Sequence, residues 1–290
     1  MQTSPTGDSR IMTLVYLNGE FKPLAEASIN VLDRGFTFGD GVYEVIPIFS
    51  RTIFRFEEHM QRLESSLNAI YMDNPYSKEE WSSIFQKLID SVEQSEQSIY
   101  LQITRGVSER DHDISLADKP TIFAICRPTV KKDSSAGINA ITHEDIRWQY
   151  CDIKAITLLP SVLLRHKAKM LGAREAILTR DGYITEGAAS NVFICKNDEI
   201  FTPPKDNYVL PGITRDLIIE ILSNNNNACA ETTITEEKIL DADEIWITSS
   251  TWEIVPVIKL NNKPVGSGKP GPLWHKVNQL YQEFKSSYCK

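Results

Sequence analysis

INAITHEDIRWQYCDIKAITLLPSVLLRHKAKMLGAREAILTRDGYITEGAASNVFICKNDEIFTPP, residues 138–204, decides the fold class. Two β-rich runs, INAITHEDI (138–146) and CDIKAITLL (151–159), precede PSVLLRHKAKMLG (160–172), which reads as a helix closed by Gly172. No regular strand–helix alternation follows. EAILTR-DG-YITEG reads as a hairpin on the Asp181-Gly182 turn, and NVFICKNDEIFTPP as a second hairpin. A doubly wound parallel sheet requires regular strand–helix alternation, so this succession predicts an α+β fold.

Outward from that stretch the mixture continues. RDLIIEILS (215–223) predicts a helix left through the Asn run at 224–227. EIWITSSTWEIVPVIKL-NN-KPV predicts further strands, and PLWHKVNQLYQEFKS a closing helix. Toward the N-terminus, TLVYLNGEFKPL (13–24) carries an Asn18-Gly19 hairpin turn, and the Gly-rich RGFTFGDGVYEVIPIF (34–49) ends as a strand. Helices are expected over 56–70 and 78–94, the second capped by Ser77, and strands over SIYLQITRG (98–106) and TIFAICRP (121–128). The intervening VSERDHDISLADKP is polar and long for a hairpin connection, and long ordered loops tend to be functional. RPTVKKDSSAG (127–137) has the Pro, Ser, Gly and Lys content of a linker. The expected organisation is an N-terminal α/β domain over 1–126, a linker over 127–137 and a larger β-rich domain over 138–290.

Composition bounds the function. The chain has 290 residues, enough for two domains with a cleft between them, and 41% hydrophobic residues. Its 31 Lys+Arg against 39 Asp+Glu leave a formal charge of -8, with no basic stripe of the kind that tracks nucleic-acid phosphates. No run approaches the ~18 apolar residues of a membrane span. MQTSPTGDSR lacks the apolar core of a signal peptide, so a cytoplasmic protein is expected. Cys126, Cys151, Cys195, Cys229 and Cys289 are scattered without a C-x-x-C pair, which indicates neither a disulfide framework nor a thiolate zinc site.

Several side chains could carry chemistry. Lys154 interrupts the apolar run IKAITLL; it is either an ordinary solvent-facing lysine or a desolvated amine of lowered pKa, the kind that forms Schiff bases. GITRD (212–216) brings a glycine turn into a helix, so the N–H groups of Ile213 and Thr214 could meet an anion, with hydroxyls from SST (249–251) beside them. Glu186, in TEGAASN (185–191), is either a surface charge or the partner of a basic ring nitrogen. Arg110 and His112, two apart in an extended loop, could grip a carboxylate from one side, or be simply solvated. The neighbouring Asp111 and Asp113 lack a second contributor at ligand spacing, so no metal is expected.

DRGFTFGDGVYEV (33–45), HMQRL (59–63), RGVSERDH (105–112), EDIRWQYCDIK (144–154), TEGAASN (185–191), LPGITRD (210–216) and ITSSTWEIVPV (247–257) resemble, in this order, the fold-type IV pyridoxal-phosphate enzymes, or class IV aminotransferases. The resemblance runs from about residue 14 to the C-terminus. Within the family, VYEV and the Arg-x-His loop look like the D-amino acid aminotransferases.

This resemblance implies pyridoxal 5'-phosphate in the cleft between the two domains. Lys154 would hold it as a Schiff base and carry the proton to and from the substrate Cα. Glu186 would pair with the pyridinium nitrogen, Leu210 would line the cofactor face, and Arg62, Ile213, Thr214 and Ser250 would bind the phosphate. Tyr43, Arg110 and His112 would trap the substrate α-carboxylate, the last two from the neighbouring subunit of a homodimer. The implied reaction moves an amino group between D-alanine or D-glutamate and the 2-oxo acids pyruvate and 2-oxoglutarate. The alternatives are a branched-chain L-amino acid aminotransferase and an aminodeoxychorismate lyase of the same fold. Two departures stand out: Ala188 and Ala189 occupy positions where relatives often carry serines, and the bulky Trp252 could narrow the side-chain pocket.

Overall fold

The computed structural model describes residues 13–117, 119–130 and 135–289. Among these residues the strands form two sheets, and each sheet is built from one half of the chain. The first contains β1 (Leu14–Leu17), β2 (Glu20–Pro23), β3 (Gly41–Phe49), β4 (Thr52–Ile53), β5 (Gln97–Thr104) and β6 (Thr121–Pro128), in the order β2-β1-β6-β5-β3-β4. Among the described residues its strand pairings are antiparallel. The expected hairpin at Asn18-Gly19 is present, with both residues at positive φ (50° and 95°), the backbone that a two-residue turn demands.

Three helices belong to this half: α1 (Arg34–Phe38), α2 (Phe56–Ala69) and α3 (Lys78–Asp90). Ser77 caps α3 in a reciprocal capping box with Glu80. Trp81, Ile84, Phe85, Leu88 and Ile89 recur at helical spacing on its buried face, and they pack with Leu63 and Leu67 of α2 and with Ile46, Ile99 and Leu101 of the sheet. Burial of each such side chain contributes about 1.5–3 kcal/mol. Sequence reading missed α1, because its five residues sit in a Gly-rich stretch; Asp33 caps it by accepting from the Gly35 N–H.

The second sheet comprises β7 (Ile138–Glu144), β8 (Glu175–Arg180), β9 (Tyr183–Gly187), β10 (Asn191–Lys196), β11 (Glu199–Thr202), β12 (Cys229–Glu231), β13 (Glu244–Ser249), β14 (Glu253–Leu260) and β15 (Lys263–Pro264). Its path runs β12-β11-β10-β13-β14-β7-β8-β9, with β15 paired to β14, and mixes parallel with antiparallel neighbours. The helices are α4 (Leu159–Met170), α5 (Ile213–Asn224), α6 (Glu236–Leu240) and α7 (Pro272–Tyr288). Both anticipated hairpins, β8–β9 and β10–β11, form. The architecture is a two-domain α+β fold, with no helix long and apolar enough to cross a membrane among the described residues.

One core joins the halves. Phe49 and Phe54 from the first pack with Phe193, Trp246, Trp274 and Tyr281 of the second. The expected linker only partly falls within view: Arg127 and Pro128 still belong to β6, and residues 131–134 lie outside the described residues.

One expectation needs correcting. CDIKAITLL is not a strand: 151–158 is irregular, and α4 begins at Leu159. The segment touches β3 through a single bridge, Val42 to Ala155, and tight backbone turns follow (Ala155 N–H to Ile153 C=O, Leu158 N–H to Ile156 C=O). A chain turning this soon cannot extend a ladder. Its alternation of apolar residues reflects a segment wedged between the two halves.

Candidate active site

The Lys154 segment is fixed by hydrogen bonds to the first sheet and to α2. Tyr43 N–H donates to the Lys154 carbonyl at 3.0 Å, Ile156 N–H to the Gly41 carbonyl at 3.0 Å, and Lys154 N–H to Ser66 Oγ at 3.2 Å. The side chain leans over Tyr43, with Nζ 4.3 Å from the ring centroid. Burial, and next the charge of Arg62, lower the amine's pKa to about 8. The desolvated-amine reading of this residue is therefore the one the surroundings favour. Burial likewise pushes the Tyr43 hydroxyl up to about 12, so it stays a proton donor at neutral pH.

Lys154 opens into a cavity of about 250 Å³ lined also by Tyr43, Arg62, Glu186, Leu210 and Ile213, with Thr214 and Ser250. Eight of the residues singled out in the sequence thus share one wall system. Glu186, near the end of β9, is only 4% exposed and its carboxylate accepts three hydrogen bonds. Oε1 accepts from the Arg147 guanidinium at 2.5 Å, and Oε2 from Asn191 Nδ2 at 3.0 Å and from Leu210 N–H at 3.1 Å. Burial raises the carboxyl's pKa to about 7, against the pull of Arg147. Arg147 is in turn clamped by Asp145, with Nε and one terminal nitrogen each 2.9 Å from a carboxylate oxygen.

Arg147 escaped the sequence reading. It stands in EDIRWQYCDIK as one more charged loop residue, and its role arises from a β9 carboxylate 39 positions away. Leu210 matters here through its backbone N–H rather than its side chain.

The N-terminus of α5 lines the same cavity. Gly212 caps it without any side-chain hydrogen bond, leaving the first-turn N–H groups open to a ligand. A Cβ on Gly212 would sit 1.8 Å from Asn191 Oδ1, so only glycine lets the turn come this close. Thr248 Oγ1, on the same cavity, is buried without a hydrogen-bond partner among the described residues. Ser249 follows it at the end of β13, and Ser250 opens the turn to β14.

Arg62 borders the cavity, yet its guanidinium is largely committed to Glu44, with Nε to Oε1 at 2.7 Å and a terminal nitrogen to Oε2 at 2.8 Å. The other terminal nitrogen donates to the Pro211 carbonyl, next to the α5 cap. His59 Nδ1 lies 2.8 Å from the same Glu44.

Arg110 and His112 are not among the cavity's lining residues. They flank Phe38 instead, the guanidinium 5.1 Å and the imidazole 5.5 Å from its ring centroid. Arg34, held by Asp40, pins their exposed loop by donating to the Asp111 carbonyl at 2.6 Å. Phe38 faces an adjoining cleft of about 610 Å³ that shares Arg147, Ile153, Leu158 and Ser161 with the main cavity.

The donor set fits the cofactor that the sequence resemblance implies. An uncapped helix N-terminus, an unsatisfied threonine hydroxyl and a glycine cradle suit a phosphate. A buried amine of lowered pKa suits a carbonyl, and a buried carboxylate suits a ring nitrogen.

Residues 41–260 match the family model of the class IV amino-transferases. The chain is 39% identical over 270 residues to the D-alanine aminotransferase of Bacillus licheniformis, covering 92% of this chain and 95% of that one. It is 39% identical over 282 residues to the D-alanine aminotransferase of Staphylococcus aureus (strain COL), covering 96% and 99%. Among solved structures, it superposes on the Escherichia coli branched-chain amino acid aminotransferase with a TM-score of 0.85 at 27% identity, covering 92% of each chain. It also superposes on the branched-chain aminotransferase of Thermoproteus uzoniensis, with a TM-score of 0.85 at 26% identity and 93% of each chain covered.

Proposed function

Because the chain belongs to the class IV aminotransferases, enzymes of pyridoxal phosphate chemistry, we propose that it is a D-amino acid transaminase. It exchanges the amino group between D-alanine or D-glutamate and pyruvate or 2-oxoglutarate. The observation that carries this reading is the meeting of Lys154, Glu186 and the open α5 N-terminus in one cavity. The substrate class follows the full-length likeness to D-alanine aminotransferases, which exceeds the 26–27% identity to the branched-chain structures.

Bound, the cofactor supplies an electron sink for the electron pair left when the substrate Cα loses its proton. Lys154 Nζ, partly neutral near pH 8, would hold the cofactor's carbonyl carbon and, once the substrate amine has displaced it, would take the Cα proton and return it. Glu186 holds a proton on the ring nitrogen, and Arg147, with Asp145 behind it, holds Glu186 in place. Asn191 fixes the other carboxylate oxygen and, through the Leu210 carbonyl, ties it to the loop leading to α5. The N–H groups of Ile213 and Thr214, with Ser250, orient the phosphate. Arg62, neutralised by Glu44, contributes its remaining N–H face and its field. Tyr43 donates its hydroxyl to the substrate α-carboxylate.

Arg110 and His112 complete that carboxylate trap from a second subunit. Two features support this homodimer: in one chain the loop lies outside the cavity, and the adjoining cleft exposes Phe36 (79%) and Leu159 (67%) with Trp148, an apolar set that a second copy would cover. The N-terminal domain to residue 126 gives Tyr43 and Arg62, and the domain from 138 gives Lys154, Glu186 and the phosphate cup. An acidic protein of this kind acts on small anions in the cytoplasm rather than on nucleic acid.

Titration of the purified, cofactor-loaded protein with single amino acids tests the reading. D-Alanine should bleach the cofactor's visible band and yield pyruvate, and L-leucine should leave the band unchanged. Bleaching by L-leucine alone would replace the proposal with a branched-chain enzyme, and pyruvate formed from aminodeoxychorismate without an amino acceptor would replace it with a lyase. Mixing the inactive Lys154→Ala and Arg110→Ala proteins tests the shared site. Activity should return on subunit exchange, since one site per mixed dimer then has both groups; loops acting in cis would restore none.

A further inference from the structure

Lys154, Arg62, Arg147 and Arg165 are the Lys and Arg side chains that line the cavity. Arg62 is matched by Glu44, Arg147 by Asp145 and Glu186, and Lys154 is the reactive amine. Arg165 differs. Among the described residues it has no carboxylate within ion-pair distance and no hydrogen-bond acceptor; its guanidinium lies over the Trp252 ring, 5.1 Å from the centroid. Arg174, which borders a separate groove between the two halves, lies 5.0 Å from the same ring. The carboxylate whose field Arg165 does feel is Glu175, but that group is buried, its pKa is raised by desolvation, and its oxygens accept from Ala176 N–H and Ser190 Oγ.

Arg165 sits on the α4 face that lines the cavity, in the row Leu158, Ser161, Val162, Arg165. Its guanidinium lies over Trp252, two residues after Ser250 of the cavity wall. Ala188 and Ala189, small and apolar, line the same cavity and offer no hydroxyls there. The phosphate is already served by α5, Thr248 and Ser250, and the α-carboxylate by Tyr43 and the second subunit's loop.

We propose that Arg165 receives the distal carboxylate of dicarboxylic substrates, the amino acid and its 2-oxo acid, and that Trp252 holds the guanidinium flat for a two-bond grip. This assignment rests on the transaminase reading above. It explains how one pocket serves both D-alanine and D-glutamate: the short substrate leaves Arg165 on Trp252, and the long one engages it.

The test uses cofactor-loaded Arg165→Leu and Arg165→Lys proteins. In Arg165→Leu, KM for 2-oxoglutarate and D-glutamate should rise about 10- to 100-fold, the worth of a charge-assisted hydrogen-bonded pair, with pyruvate and D-alanine changed less than about twofold. Arg165→Lys should recover part of the loss. Calorimetric titration gives a readout independent of turnover: glutarate binding should weaken by a similar factor in Arg165→Leu, and butyrate binding should not. An equal loss for mono- and dicarboxylates would overturn the proposal, as would cofactor release or unchanged glutarate affinity. If the unaltered enzyme turned over no D-amino acid, the transaminase reading would fall, and the glutarate titration would still decide the role of Arg165.

Discussion

Substituting Glu44 by glutamine should weaken the fold and tilt the site together. Glu44 is fully buried on β3 and accepts from Arg62 twice, at 2.7 and 2.8 Å, with His59 at 2.8 Å. Glutamine keeps the shape but leaves the Arg62 guanidinium charged, buried and uncompensated, a loss of about 3–5 kcal/mol. In a protein of this size that corresponds to a melting temperature lower by about 10 °C. The sign with pH is fixed by the carboxylate. Burial works to raise its pKa, but Arg62 and His59 outweigh it and hold the group well below the usual range. A depressed pKa gives stability that is present above the unfolded value of about 4.3 and is lost as pH falls toward the folded one. The gap between Glu44→Gln and the unaltered protein should therefore be widest near neutrality and narrow below about pH 4. Thermal melts by circular dichroism over that range test it. A variant melting within about 2 °C at pH 7.5, or a gap that stays constant from pH 7 down to about pH 2, would refute the argument.

Lys154→Ala should abolish transamination and the cofactor's visible band while leaving the far-ultraviolet circular dichroism unchanged. The rate at which apoprotein takes up pyridoxal phosphate should climb as pH rises through about 8, because burial and Arg62 lower the amine's pKa and more of it becomes neutral; stopped-flow absorbance reads this directly. Arg147→Met removes the cation that opposes the burial-driven rise of the Glu186 pKa, so kcat should drop at least about tenfold, with cofactor retained on gel filtration. Gly212→Ala places a methyl group 1.8 Å from Asn191 Oδ1, and equilibrium dialysis should find pyridoxal phosphate bound at least about tenfold more weakly.

Legibility in the sequence followed the range of the interaction. Turns written in adjacent residues, Asn18-Gly19 and Asp181-Gly182, and helices written in periodic apolar residues, such as 78–90, were readable because their causes are local. The five-residue α1 and three-residue β12 were not, since neither is long enough to express a period. The irregular course of 151–158 was hidden because its apolar residues alternate as in a strand while its partners lie in two different halves. Lys154, Glu186 and the α5 entry were singled out by residue type and motif. Arg147 and Arg165 were passed over because their significance lies in what surrounds them: three neighbouring acceptors for one, and the lack of a carboxylate for the other.

The backbone bonds that clip the Lys154 segment onto β3 have a bearing on how the protein is made. Every strand of the first sheet comes from residues 14–128, so that sheet can be complete on the ribosome before the lysine has emerged. The newborn chain then carries a finished docking edge at Gly41 and Tyr43 with nothing on it. Lys154 reaches that edge before the residues that complete the cofactor's cradle, Thr214 and Ser250, have been synthesised. Translation order thus seats the reactive amine first and closes its surroundings last, which leaves an interval in which a free aldehyde could meet the lysine with no cradle to select it.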